Sequence, residues 1–137
     1  MIRRKRRQPS RKGAALTEFA IVAPFLFLML VGMIEFGRTL MVQHMITSAA
    51  HEAAREASLP SATEASVTAI VDRHLEASNL SNVAVTIDPE IDDAEAGDTI
   101  TVTVTQPISS ITVMGGRWFG AGFNLSSSSS VRKEGFE

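Results

Sequence analysis

The feature that most constrains this chain is an apolar run close to its start. The twenty-one residues from Ala14 to Ile34 contain a single charged side chain, Glu18. As a helix they would extend about 32 Å at ~1.5 Å per residue, which is sufficient to cross a bilayer core about 30 Å thick. The run therefore predicts a membrane-spanning helix, and we place the anchor at residues 14–38.

The charge distribution predicts how this helix is oriented. Seven of the thirteen Lys and Arg residues lie at positions 3–12, whereas five basic and thirteen acidic residues are found from Thr39 onward. A basic leader stays cytoplasmic under the positive-inside rule, so the C-terminal part is expected on the outer side of the cytoplasmic membrane. No second basic patch with interleaved aromatic residues follows, and nucleic-acid binding is therefore disfavoured. The apolar run also lacks a small-x-small site at its end, which argues against removal as a secretory signal.

Glu18 needs an explanation, because a carboxylate is costly within a membrane helix. It could snorkel to the interface in an ordinary anchor. Alternatively it belongs to a processing and assembly signal, and the layout favours this second interpretation: a short basic leader, then Gly13, then an apolar helix whose fifth residue, counted from Ala14, is Glu18. Type IV prepilin leaders have this layout, and the scissile bond would be Gly13–Ala14. The sequence Ala-Ala-Leu-Thr-Glu departs from the Phe-Thr-Leu-Ile-Glu that is usual in those pilins.

Two more motifs make the resemblance specific. The sequence AALTEFAIVAPF at residues 14–25 is followed by IEFGR at 34–38 and by AHEAAR at 50–55. Over about residues 12–57 the chain resembles the TadE-like family, the pilin-like minor components of bacterial tight-adherence (Flp) pilus systems. The resemblance implies that a prepilin peptidase cuts after Gly13 and that Glu18 serves assembly by pairing with an amino terminus. It also implies a single-pass protein of the bacterial inner membrane whose partners are other pilin-like subunits and the pilus assembly platform.

The remainder predicts an α+β fold in which the long first helix continues into a small head at residues 59–137. The helix should continue outside the membrane over 39–58 and stop before Pro60. Ser61 and Glu64 form a capping-box pattern ahead of an amphipathic helix at about 62–78. The continued helix is expected to have a small-residue, mostly amphipathic surface formed by Leu40, His44, Ile46, Ala50, Ala53, Ala54 and Ala57.

Alternating apolar residues then predict a roughly three-stranded antiparallel sheet. Residues 83–87 and 100–105 should pair as a hairpin around an acidic connection at 88–98. A third strand is expected at about 122–132. The apolar residues Phe123, Leu125 and Val131, on either side of the serine run 126–130, would all lie on the same face of such a strand. A flexible linker is the alternative for that run.

The candidate sites in the head are few. The acidic connection fails as an EF-hand, because Asp93 stands where glycine is needed and Thr99 where the closing glutamate belongs, and a solvated loop is expected instead. His44, His51 and His74 do not form a ligand set, and the chain has no cysteine, so no metal site and no cofactor are expected. Two remaining features are an interfacial ion pair between Glu35 and Arg38, spaced i,i+3, and an aromatic pair that is either buried or displayed for a partner, Trp118 and Phe119.

These observations predict a pilin-like membrane protein and not an enzyme, since no nucleophile, acid pair or phosphate-binding pattern is found and no small-molecule substrate is implied. The rival hypothesis is an uncleaved, membrane-anchored adhesin or cell-surface binding module in which the head binds the target.

Overall fold

A computed structural model describes residues 11–76, 80, 82–111 and 122–135 of the 137-residue chain. The chain divides within its first helix into two compact units, Met1–Ile34 and Glu35–Glu137. The described elements are α1 (Arg11–Ala57), α2 (Glu64–Glu76), β1 (Ala84–Asp88), β2 (Thr99–Pro107), a short 3-10 helix (Ile108–Ser110) and β3 (Asn124–Arg132). A long apolar helix, a second helix and a three-stranded antiparallel sheet confirm the α+β class.

The described part of the first unit is the N-terminal part of helix α1, which begins at Arg11, three residues before the predicted start at about residue 14. Gly13, Ala14 and the residues around them are therefore helical. Large apolar side chains of this unit are exposed, among them Phe19 at 64% and Phe25 at 72%. An all-apolar helix surface is found where a helix is enclosed by a protein core or by lipid.

In the second unit, α1 supplies one side of the core. Its fully or nearly buried residues recur at spacings of three and four, which places them on one face of the helix. Val42 and Ala49 belong to this buried face, whereas Leu40 and His44 of the predicted amphipathic surface are exposed. The buried set on α1 is Val42, Ile46, Ala49, Ala50, Ala53, Ala54 and Ala57. Because most of it is alanine, the helix backbone can approach its neighbours closely.

Helix α2 packs its apolar face into the same core, as predicted. Val67, Val71 and Leu75 are buried. The predicted cap at Ser61 is wrong. Thr63 Oγ1 accepts from the Ser66 backbone N–H at 3.1 Å, and Ser66 Oγ accepts in return from the Thr63 N–H at 3.1 Å. The first helical bond also ends at Thr63, whose carbonyl accepts from Val67, so Thr63 is the N-cap.

The sheet has the order β1-β2-β3, with both pairs antiparallel. The predicted hairpin and the third strand are confirmed, and the serine run lies within β3 and not in a linker. One face of the sheet carries the apolar residues Ile100, Val102 and Val104, which are fully buried. The other face carries hydroxyl side chains in cross-strand rows, such as Thr101 beside Ser130, whose oxygens are 2.9 Å apart.

Candidate functional site

The predicted processing site lies on the first turns of α1. The Gly13 carbonyl accepts a hydrogen bond from Thr17 Oγ1 at 3.0 Å, and Gly13, Ala14 and Glu18 are all exposed. Ala14 and Glu18 are four residues apart, so their side chains lie on the same face of the helix, one turn apart. An amino group generated at Ala14 would therefore be within reach of the Glu18 carboxylate.

Glycine at position 13 is not explained by packing within this chain. A Cβ built on Gly13 would meet no atom within 4 Å, and no positive φ is recorded there. Alanine in place of glycine would even favour the helix by about 1 kcal/mol. A requirement for glycine at this position would therefore come from a partner that reads or cuts the chain.

The helix that follows has the length and composition of a membrane span. It is the single such candidate among the described residues, covers Gly13–Ala57, reaches a mean hydropathy of 2.3, and none of its most apolar window is buried by the protein. Removing a Leu or Phe side chain from water gains about 1.5–3 kcal/mol, so lipid is the favourable surrounding for this surface.

Glu35 and Arg38 lie one turn apart at the start of the second unit. Glu35 is half-buried and Arg38 is exposed. The Glu35 backbone carbonyl accepts from Thr39 Oγ1 at 2.9 Å. The ion pair between Glu35 and Arg38 stays a prediction.

Most residues of the acidic connection are exposed, as expected for a solvated loop, but two of them are anchored in the core. Ile91 and Ala94 are buried in the core. Lys133 Nζ donates to the carbonyl oxygens of both residues, at 2.7 Å and 2.8 Å. The ammonium group of the chain itself thus occupies backbone oxygens of a kind that a bound cation would use.

The turn at Gly97, which ends the acidic connection, is bonded to Arg132 at the end of β3. Gly97 has φ 96°, in the left-handed region that favours glycine, and its carbonyl accepts from Arg132 Nε at 2.8 Å. In the part of the chain that the structure describes, no group of three or more His, Asp or Glu side chains is placed to hold a metal ion.

The histidines take separate positions. His51 Nδ1 and Ser129 Oγ share a hydrogen bond at 2.9 Å, and His74 Nε2 lies 3.1 Å from Glu52 Oε2. His44 is exposed on another part of α1. Since the His74 and Glu52 side chains are 33% and 52% exposed, their contact contributes little stability.

The remaining predicted contact residues, Trp118 and Phe119, lie outside the described residues. Sequence reasoning missed Lys133, because its role depends on carbonyls about forty positions earlier in the chain. A local signal was present in Ile91, the one large apolar residue within an acidic stretch. Such a residue is typical of a loop that is anchored in the core.

The comparisons with known proteins agree with the N-terminal motif. Residues 13–55 match the model of the TadE-like protein family. This segment comprises 43 residues (55 − 13 + 1) of the 137, and it includes Gly13, Glu18, Glu35 and Arg38 but no strand of the sheet. Searches of curated proteins and of solved structures gave no match.

Proposed function

We propose that this chain is a minor pilin or pseudopilin that supports assembly of a tight-adherence (Flp) pilus. The proposal starts from the TadE-like segment at residues 13–55. The TadE-like segment and the apolar N-terminal helix together suggest a membrane protein associated with a Tad pilus. The observation that carries the proposal is that one short segment holds the family match, the apolar helix and the prepilin-like Gly13–Glu18 spacing.

The first step of the proposed mechanism is processing by a prepilin peptidase at the Gly13–Ala14 bond. The open space around Gly13 supports this step, because the protein's own fold does not require glycine there. Glycine also weakens the helix locally by about 1 kcal/mol relative to alanine, which favours opening of the backbone for cleavage. The leader removed at this step would carry seven of the chain's thirteen basic residues.

The second step is assembly through the new amino terminus. An ammonium at Ala14 and the carboxylate of Glu18, one helical turn apart, would each lower the cost of placing the other in lipid. The same carboxylate could pair with the terminus of a neighbouring subunit instead. Either arrangement gives a trimmed subunit whose terminus is compatible with the membrane and with a bundle of helices.

Topology and partners follow from the charge distribution. The basic leader is proposed to face the cytoplasm, and the acidic head the periplasm or the exterior. The partners would be the inner membrane, the prepilin peptidase, other pilin-like subunits and the assembly platform. In this account the chain performs no catalysis, in keeping with a family that is generally non-enzymatic.

Deletion of the chain from cells that make these pili tests the proposal against the adhesin alternative. We expect surface pili to be lost or greatly reduced, as counted by electron microscopy, and to return when the intact chain is supplied. If the pili were normal in number and only attachment to a target surface failed, the chain would be an adhesin and the proposal would be wrong.

A further inference from the structure

In the second unit, the C-terminal part of α1 runs alongside β3 in the same direction. Three hydrogen bonds follow one another in the same order on both segments: from Gln43 Nε2 to the Ser126 carbonyl, between His51 Nδ1 and Ser129 Oγ, and from the Glu134 N–H to the Ser58 carbonyl. The start of β3 therefore lies at the end of the unit where α1 enters it, and the residues after β3 lie where α1 ends.

The spacing of these contacts shows which part of α1 is level with Phe123, just before β3. Between the first and last contacts, α1 rises about 22 Å over 15 residues (58 − 43), and the strand side extends about 26 Å over 8 residues (134 − 126). Phe123 precedes Ser126 by three residues, or about 10 Å, which equals about six or seven residues of helix before Gln43. Phe123 is therefore level with about residues 36–37, beside residue 38, where the predicted membrane anchor ends.

Large apolar side chains are exposed at this level of the second unit. Phe123 is 65% exposed, and the large apolar residues of α1 near this level are also exposed: Phe36 at 66%, Leu40 at 45% and Met41 at 61%. Phe36 and Leu40 are one turn apart on the same helix face. The core of the unit does not use these side chains, so their burial against an apolar surface outside the protein would be favourable.

The opposite end of the sheet has the opposite chemistry. The acidic connection at 88–98 contains six acidic residues and lies at that end, where Thr99 pairs with Arg132. At the end that carries Phe123, the described residues 105–111 and 122–125 contain no charged side chain. Carboxylates are costly to bring into a bilayer, so only one end of the sheet is suited to approach a membrane.

We propose that the membrane-facing end of the head, defined as residues 108–111 and 122–124, rests in the interfacial layer of the membrane that holds α1, with Phe123 inserted between the lipids. Lack of charge alone would suit many partners. A bilayer is indicated because an exposed aromatic side chain lies level with the end of the anchor, and phenylalanine is favourable at the boundary between headgroups and acyl chains. This inference rests on the membrane anchorage in the proposed function, but not on leader processing or pilus assembly.

Fluorescence quenching in vesicles tests this contact with the full-length chain. The chain contains no cysteine, so one environment-sensitive dye can be attached at a chosen position. Ser109→Cys places the dye next to Ile108, whose N–H donates to the Phe123 carbonyl at 3.0 Å. Thr99→Cys is the matched control, because it is also exposed and lies at the other end of β2, about 27 Å away.

The purified chain is reconstituted into phosphatidylcholine vesicles that carry nitroxide labels at headgroup depth. We expect the dye at position 109 to lose at least about half of its fluorescence, since it would touch the labelled headgroups, whereas the dye at position 99 should lose little. Equal quenching at the two positions would overturn the proposal. So would quenching at position 109 that appears only after another membrane protein is added, because the surface would then bind protein.

A dye on Leu28→Cys, within the apolar run, reports on the anchorage itself when the nitroxide is placed in the acyl chains. Quenching at position 28 without quenching at position 109 would overturn this inference and leave the proposed function standing. Absence of quenching at both positions would overturn both.

The contribution of Phe123 is tested by a second substitution in the chain labelled at position 109. Phe123→Ser should reduce the quenching toward that of the Thr99→Cys control, whereas Phe123→Leu should retain most of it because leucine keeps an apolar side chain. Both variants should fold, since Phe123 is 65% exposed, and circular dichroism checks this. Undiminished quenching with Phe123→Ser would overturn the insertion of Phe123.

Discussion

At the scale of single residues, Glu18 and Lys133 show two ways in which a charge is accommodated. Glu18 is the only charged residue between Ala14 and Ile34, and it is exposed on a helix suited to lipid. Lys133 instead donates to the carbonyls of Ile91 and Ala94 within the second unit. We propose that the first charge is matched by an amino terminus that processing creates, whereas the second is explained by contacts already present in the fold.

Replacing Glu18 with alanine should impair assembly. An ammonium at Ala14 would lose its counter-charge, and breaking one side of a poorly solvated ion pair costs about 3–5 kcal/mol. We expect pilus yield to fall at least about tenfold, the factor that corresponds to ~1.4 kcal/mol. Glu18→Asp keeps the carboxylate and should retain most of the yield. As a control, both variants should be present in equal amounts in the membrane fraction. A normal pilus count for Glu18→Ala would refute the role of Glu18 in assembly.

Replacing Lys133 with methionine should destabilise the second unit. Methionine keeps an apolar stem of similar length but leaves two carbonyls of the acidic connection without their donor. The loss should be about 1–3 kcal/mol in the free energy of unfolding, as measured by circular dichroism of the full chain in detergent. Arg73→Met removes one positive charge from the exposed side of α2 and serves as the control. Equal stability of the two variants would contradict the role assigned to Lys133.

At the scale of elements, patterns that depend on neighbouring residues were predicted well. Strand β3 was predicted because Leu125 and Val131 are an even number of residues apart and so lie on the same face of a strand. In the structure both are half-buried on the face that packs against the core. The start of α2 was predicted two residues early because two capping patterns overlap. Ser61 lies in the preceding turn, in which the Ala62 N–H donates to the Leu59 carbonyl at 3.1 Å, so the cap falls to Thr63.

The two possible N-caps of α2, Ser61 and Thr63, can be distinguished by comparing the stabilities of two single substitutions. Thr63→Ala should lower stability by about 0.5–2 kcal/mol, because it removes the acceptor for the Ser66 N–H. Ser61→Ala should change stability by less than about 0.5 kcal/mol, as is usual for an exposed site without such a contact. Thermal unfolding of the two variants side by side is the measurement. A larger effect at Ser61 would restore the cap predicted from the sequence.

Other features of the elements could not be predicted, because they depend on contacts distant in sequence. The acidic connection was predicted to be solvated from its composition. Most of its residues are exposed, but Ile91 and Ala94 are buried in the core. Lys133, forty-two positions after Ile91 in the chain, donates to the carbonyls of both. Which residues of α1 are buried was likewise not predictable from spacing alone, because Leu40 and His44 are exposed whereas Val42 and Ala49 are buried.

At the scale of the whole molecule, the information on function is concentrated at one end of the chain. The family match ends at residue 55, before the second helix and the sheet begin. The leader, the apolar helix and Glu18 are recognisable from local spacing and composition alone. The hydrogen bonds from α1 to the outer side of β3, by contrast, become visible only when the strand order and the direction of the backbone bonds are known.

Intact-mass measurement of the protein from membranes of cells with an active prepilin peptidase tests the central claim most directly. The account predicts a chain of 124 residues (137 − 13) that begins at Ala14, and a full-length chain when Gly13 is replaced by leucine. Persistence of the unprocessed 137-residue chain in the wild type, with the peptidase active, would contradict it.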